Sequence, residues 1–294
     1  TIGSVVPDTW TVRVGCPRFL DHSAWCSRYL NQDHYGGVII GWRWVVMAMG
    51  GTAELLSCGL AQLSWIDEAG VESRGPLVGS WGVAFEGVAP VRAFGSFKGQ
   101  RSFGGSWWFA TTGEHVGFES WLERDVLMAL DFDADVVAVS SQPFWLSWPV
   151  KGRPRRHAPD YFARRADGTA VVIDVRADDR IDAHDAEVFA ATALACGSVG
   201  WQYERRGQLD PFWGANLRWL AGYRHRRCCV PSVAGRLVEQ LSGPVALDDL
   251  AAMAGDRLAV LPTLFHLLWR GVIDADLAAA PLSGSTMVHR DGPR

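Results

Sequence analysis

The spacing of apolar positions divides the chain into stretches of different character. From Gly37 to about Gly113, short apolar pieces are broken by glycine. Val38-Ile39-Ile40, Trp42-Arg43-Trp44-Val45-Val46 and Leu60 to Trp65 predict strands in a small, mostly β N-terminal region, residues 37–113. The preceding residues, 1–36, show no clear period and read as a tail or an over-extended gene start, with Met47 or Met49 as alternative starts. From Phe118 the period lengthens. Phe118, Leu122, Val126 and Leu130 recur every four residues, the stripe of an amphipathic helix. Runs with β character follow: Val136 to Ser140, Phe144 to Val150, Tyr161-Phe162 after Pro159-Asp160, and the β-branched run Ala170 to Val175. Ile181 to Cys196 predicts a helix. Ser198 to Tyr203 predicts a strand ending in Glu204-Arg205-Arg206, and Asp210-Pro211 opens a further helix with Asp as cap and Pro at the first helical position. Helix, strands, helix, strand, helix is the order of an α/β core with a mixed sheet, residues 114–223.

The last stretch, 224–294, changes period again. Ser232 to Leu241, Leu247 to Ala254 and Leu258 to Arg270 predict three short helices, and Val272-Ile273 and Met287-Val288 flank a hairpin. That outline is winged-helix-like, with Arg224-His225-Arg226-Arg227 as the linker. Its third helix is rich in Leu and Phe and poor in basic and amide side chains. The module therefore reads as a protein-docking element rather than a reader of DNA bases.

Composition narrows the class. With 294 residues, 48% hydrophobic and 20% charged, the chain can bury a core of about two domains. The net charge of −4 excludes a basic nucleic-acid coat, so any DNA contact must come from local patches or through metal ions. The basic residues are arginine except Lys98 and Lys151, the imprint of a GC-rich genome or of arginine chosen for phosphate forks. Cys16, Cys26, Cys58, Cys196, Cys228 and Cys229 form no C-x-x-C pair and no zinc-finger spacing, which argues against structural zinc and fits a reducing cytoplasm. No apolar run reaches the ~18–20 residues of a membrane span. The protein is expected in the cytoplasm, on the nucleoid when active.

Candidate chemistry lies in the middle stretch. Asp160 begins one strand, and Asp174 lies inside the apolar run Val171-Val172-Ile173-Asp174-Val175-Arg176. A carboxylate buried in such a run is costly unless something pairs it, and a divalent cation would do so. Asp174 and Arg176, two apart, point to one face of the strand. The plainer reading, a turn Asp at 160 and a surface Asp174–Arg176 pair, stands beside it. Upstream, Glu119 and Glu123 lie four apart beside the apolar stripe. A helix with Glu, a strand with Asp and a strand with acid-x-basic, in that order, is the pattern of the PD-(D/E)xK nuclease core.

A narrower resemblance follows from longer runs. Thr111-Thr112-Gly113-Glu114-His115-Val116-Gly117-Phe118-Glu119-Ser120-Trp121-Leu122-Glu123-Arg124-Asp125, then Leu130 to Val137 and Ser141-Gln142-Pro143-Phe144, resemble the catalytic domain of TnsA-like heteromeric transposase endonuclease subunits. His157 to Phe162 is similar to that family's Pro-Asp strand, and the likeness runs from about Phe94 to about Tyr223. The resemblance implies a magnesium- or manganese-dependent DNA endonuclease that cuts the non-transferred strand at the 5′ ends of a transposon. Its implied partners are double-stranded transposon-end DNA, a DDE-type transposase subunit and an ATP-dependent regulator. By position, Glu123, Asp160 and Asp174 would be catalytic metal ligands, with Glu119 the fallback for Glu123, and Gln142 would lie close to the active site. Arg176 stands where the family carries a catalytic lysine. Arginine stays protonated, so Arg176 could hold a phosphate but could not act as a base.

Lys151, Arg153, Arg155 and Arg156 form a basic run just before Asp160, suited to phosphate contacts, or to an ordinary solvated loop. Trp107-Trp108, Trp145 and Trp148 are expected in the core rather than stacked on bases. Two further readings stay open: a stand-alone defence or repair nuclease, and a catalytically degenerate nuclease-fold scaffold or DNA-binding subunit, which Arg176 keeps in play.

Overall fold

The computed structural model describes residues 10–12, 60–92, 104–150 and 153–290. The strands expected at 38–40 and 42–46, the alternative starts, most of the 1–36 tail and Lys151 lie outside the described residues. In chain order the elements are β1 (Trp10–Val12), β2 (Gln62–Ile66), β3 (Glu72–Pro76), α1 (Leu77–Ser80), β4 (Gly105–Phe109), β5 (Glu114–Phe118), α2 (Trp121–Phe132), β6 (Val136–Ser141), β7 (Trp145–Val150), β8 (Arg153–His157), β9 (Tyr161–Arg165), β10 (Ala170–Val175), α3 (Ala183–Ser198), β11 (Gln202–Arg206), α4 (Pro211–Leu220), α5 (Pro231–Gln240), β12 (Val245–Ala246), α6 (Leu247–Ala254), α7 (Arg257–Trp269), β13 (Ile273–Ala275) and β14 (Met287–Arg290). The architecture is mixed α/β with several sheets. Among the described residues, no helix is long and apolar enough to cross a membrane.

The chain forms two compact units, and each is interleaved in sequence. One comprises Thr9–Ala93 and Val139–Arg206; the other comprises Thr1–Asp8, Phe94–Ala138 and Gly207–Arg294.

The first of these units holds two sheets. A five-stranded sheet runs β1-β11-β10-β9-β6, with β9 antiparallel to β10 and β11 parallel to β10. The parallel step needs a crossover, and α3 supplies it. A four-stranded antiparallel sheet runs β3-β2-β7-β8. Alternation decides what each strand buries. In β7, Leu146 and Trp148 are buried while Trp145 and Ser147 are only half-buried. The core packs Leu63, Leu146 and Trp148 against Phe162, Val172 and Tyr203 of the larger sheet and Ala191 and Ala195 of α3. Phe85 sits among Trp65, Phe144, Phe162 and Trp201 with ring centroids 4.9–5.7 Å apart, mostly edge to face, the favoured aromatic geometry.

The other unit combines the β4–β5 hairpin, α2, α4 and the C-terminal elements. Its core includes Met128, Leu217, Leu220, Leu250, Leu264, Leu268 and Ile273. Asp131 is buried beneath the hairpin and accepts from Trp107 Nε1 at 3.0 Å and Ala110 N at 2.8 Å; burial nonetheless raises its pKa. On α4, buried Asn216 donates to the carbonyls of Leu277 and Ala280 and accepts from Leu282 N, fixing the loop before β14. After α5 the order is β12, α6, α7, β13 and β14, with the three strands in the order β12-β14-β13, all antiparallel.

Most expected elements are present within a residue or two. Four differences have local causes. Phe118 ends β5 rather than opening the helix, because Ser120 caps α2 by accepting from Glu123 N. Glu119 therefore precedes the helix instead of sharing a flank with Glu123. The α3 helix runs on to Ser198, and β11 starts only at Gln202: Gly200, at φ +80°, closes a turn in which Val199 N and Trp201 N both donate to Cys196 O. Finally, Arg153 to His157 is a strand, not a solvated loop, held by the ladder to β7.

Candidate active site

Strand pairing brings two of the expected carboxylates to adjacent positions. The β9–β10 ladder pairs Tyr161 with Ile173, so Asp160 and Asp174 occupy the next step of the same register. Asp160 lies just outside β9, and its Oδ2 accepts from Val175 N at 2.7 Å. Asp174 is 1% exposed. Alternation along β10 puts it on the face of Val172, against α3, where Tyr203 also lies.

Two side chains from distant parts of the sequence saturate the first bonds of Asp174. Tyr203 donates its hydroxyl to Oδ2 at 2.8 Å, and His157 Nε2 lies 2.8 Å from Oδ1. With an ionised carboxylate, that second contact is a hydrogen bond only if Nε2 carries the proton. Burial, then the charge and hydrogen bond of Asp174, push the Tyr203 hydroxyl well above its ordinary value, so it stays a donor. Burial first, and then Asp174, likewise raise the Cys196 thiol, which is therefore an inert core group rather than a nucleophile. His157 and Tyr203 are the site residues that sequence reading missed. They lie 17 and 29 residues from Asp174, and His157 reads as the end of a basic run.

Gln142 sits beside Asp160. Its N donates to Asp160 O at 2.8 Å, and its O accepts from Val91 N at 2.9 Å. Two features are costly. Its φ is +46°, a left-handed conformation that costs a non-glycine residue about 1–2 kcal/mol. Its side-chain Oε1 is buried without a hydrogen-bond partner among the described residues.

Arg176, 45% exposed, pairs through its Nε with Asp185 at 2.9 Å, near the start of α3, and the same Nε donates to Arg180 O at 3.3 Å. On the opposite face of the sheet, Glu204 is 1% exposed and held by Arg165 at 3.2 Å and Arg206 at 2.7 Å. Such a buried acid persists only because it is paired.

Glu119 and Glu123 belong to the other unit. Glu123 Oε2 accepts from Glu119 N at 2.7 Å and Oε1 from Ser120 Oγ at 2.8 Å. Glu123 thus helps cap α2, and a carboxylate there also gains from the helix dipole. The basic run is divided by the strand period. Arg155 pairs with Glu187 at 2.9 Å, while Arg156 lies over the Trp145 ring at 4.3 Å and Arg153 is exposed. Among the described residues, no three His, Cys, Asp or Glu side chains are gathered to hold a metal ion.

Compared with known proteins, the chain matches no family model and no curated protein.

Proposed function

We propose that the chain is a metal-dependent DNA endonuclease subunit with a PD-(D/E)xK core, acting within a heteromeric transposase on the non-transferred strand. The observation that carries the nuclease reading is the placement of Asp160, just before β9, one register step beyond the Tyr161–Ile173 pair and so opposite Asp174 of β10, in a mixed sheet where α3 crosses over to a parallel β11. Helix α2, strands β6, β9 and β10, then α3 and β11 give the element order expected of that core. The strained, unsatisfied Gln142 beside Asp160 supports it further, since backbone strain and orphaned polar atoms concentrate at working sites. The transposase assignment rests on the sequence resemblance alone, carried by residues 111–144 and 157–162. The C-terminal elements are read as a winged-helix module, on the order helix, strand, two helices, hairpin.

The donor chemistry fits a hard cation. Magnesium is usually held by one or two carboxylates together with substrate phosphates and waters, so two aspartates suffice without a third protein ligand. Asp160 and Asp174 would hold it, with the amide oxygen of Gln142 a further hard donor; the role of Glu123 is carried by the resemblance alone. When bound, the cation would polarise the phosphate and lower the pKa of a water. The protein's own part is orientation. Val175 N fixes one oxygen of Asp160. Tyr203 and His157 fix both oxygens of Asp174 and leave each a further lone pair. Arg176 supplies fixed positive charge to an extra phosphate charge and takes no proton.

Two observations favour a second reading, a nuclease-fold subunit that binds DNA without cutting. The charge of Arg176 is already engaged by Asp185, and both oxygens of Asp174 already carry hydrogen bonds. Manganese binding, read by electron paramagnetic resonance on the full chain with DNA, separates the two. The nuclease reading expects bound manganese that Asp160→Asn releases. Equal manganese binding by parent and variant would support the scaffold.

A further inference from the structure

The outer face of the four-stranded sheet carries a set of side chains that the fold does not use. The register assigns them. Ser147 pairs with Arg156 and with Gln62, Trp145 with Ser64, and Ser64 with Arg74, so all six share one face. Leu63, Leu146 and Trp148 point the other way, into the core. Arg74 and Arg156 are exposed, and neither forms an ion pair with a described residue. The Arg156 guanidinium lies 4.3 Å from the centroid of the Trp145 ring, a cation–π contact on one face of the indole. Gln62, Ser64 and Ser147 are half-buried, and their side chains form no hydrogen bond with a described residue. Glu72 stands at the outer corner of the face, paired across the ladder with Ile66. The same residues line a shallow concavity of about 210 Å³. That is below the roughly 300–1,000 Å³ of a small-molecule cleft, which suits a flat group lying on the surface better than an enclosed ligand.

We propose that this face is a platform for an unpaired nucleic-acid strand, with Trp145 stacking on a base and Arg74 and Arg156 holding the flanking phosphates. The charge of the two arginines selects a polyanion. The indole selects one with planar rings, and the serines and glutamine add hydrogen bonds that tolerate any base. A paired duplex keeps its base faces stacked inside and would use only the arginines. Arg155 takes no part, because it leaves the strand on the opposite side and pairs with Glu187. The platform deepens the proposal above and rests on it only in taking DNA as the substrate.

The test is fluorescence anisotropy of a labelled oligothymidine strand titrated with the full chain in EDTA, where no cleavage intervenes. Trp145→Ala is expected to weaken binding roughly 5- to 150-fold, the cost of one base stack, while Trp145→Phe keeps most of the affinity. Arg74→Gln with Arg156→Gln, both exposed and safe for folding, is expected to flatten the slope of log affinity on log salt by about 1.4, or ~0.7 for each phosphate contact. Trp145→Ala should lose less affinity for a blunt duplex of equal length, which offers no free base face, than for the single strand. Unchanged binding in the arginine double variant, or an equal loss from Trp145→Ala for single strand and duplex, would overturn the platform. A parent that fails to nick DNA with magnesium and its partner transposase yet shows the Trp145-dependent binding would remove the nuclease reading and leave the platform standing.

Discussion

Replacing Asp174 separates what the fold needs from what the chemistry needs. The carboxylate is 1% exposed and receives two hydrogen bonds of 2.8 Å, one from a buried tyrosine and one from a histidine. Asp174→Ala strands both donors. A buried donor left unsatisfied costs about 1–3 kcal/mol. The Tyr203 hydroxyl should bear the full cost, whereas the His157 side chain is 21% exposed and water can meet part of its loss. The expected destabilisation is therefore about 2–4 kcal/mol. Asp174→Asn keeps an oxygen for Tyr203 and turns an N–H toward His157, which can accept it in its other neutral tautomer. That variant should lose less than about 1 kcal/mol. Urea unfolding followed by circular dichroism reads the difference. With an m value of about 2 kcal/mol/M, the alanine midpoint should fall by roughly 1–2 M and the asparagine midpoint by under ~0.5 M. Equal, small shifts for both variants would refute the claim that Asp174 anchors this face of the sheet. A large shift for asparagine would mean that the negative charge itself, not the hydrogen-bond pattern, holds His157 and Tyr203 in place.

Two further outcomes follow from the geometry. Arg176→Lys should retain or raise cleavage and Arg176→Ala should lower it, on the order of 10²–10³ as for loss of one charge-stabilising donor, and single-turnover rates check both. For pH, burial holds the His266 imidazole below its ordinary value, while its Nδ1 contact of 2.8 Å with Tyr223 O acts in the opposite sense. The unfolded chain then takes up the proton first. This contribution to the stability of the C-terminal unit is present above pH ~6.5 and lost as pH falls toward the depressed folded value. His266→Asn, which keeps an N–H for the Tyr223 carbonyl, should flatten the pH dependence of thermal unfolding between about pH 5.5 and 7.5; an unchanged slope would contradict the assignment.

Much of the framework was legible because local signals and burial agree. Ala170 to Val175 reads as a strand because β-branched residues fit the pleat, and it is β10 end to end. Asp210-Pro211 reads as a helix start because the cap and the missing N–H are local facts, and Asp210 Oδ1 indeed accepts from Phe212 N and Trp213 N. The site was legible only in outline. Asp174 stands out because a carboxylate in an apolar run demands a partner, and Asp160 because Pro159-Asp160 opens the strand before it. The identity of those partners depends on which strands lie side by side, and nothing near Asp174 in the chain announces Tyr203 or His157. The tryptophans illustrate the same limit. Trp148 is core as expected, but Trp145, three residues away, lies half-buried on the outer face, because β8 and β2 set which side of β7 faces out. A charge run also hides its geometry, since only the strand period reveals that Arg155 and Arg156 leave opposite faces.

The most direct test of the central claim is a strand-specific nicking assay on a transposon-end duplex, with the full chain, its partner transposase and magnesium. The account predicts a nick on the non-transferred strand that disappears with Asp160→Asn. That substitution keeps a side-chain oxygen for Val175 N, so the fold should survive with an unchanged circular dichroism spectrum. Cleavage that persists in Asp160→Asn, or a folded parent complex that cuts neither strand, would contradict it.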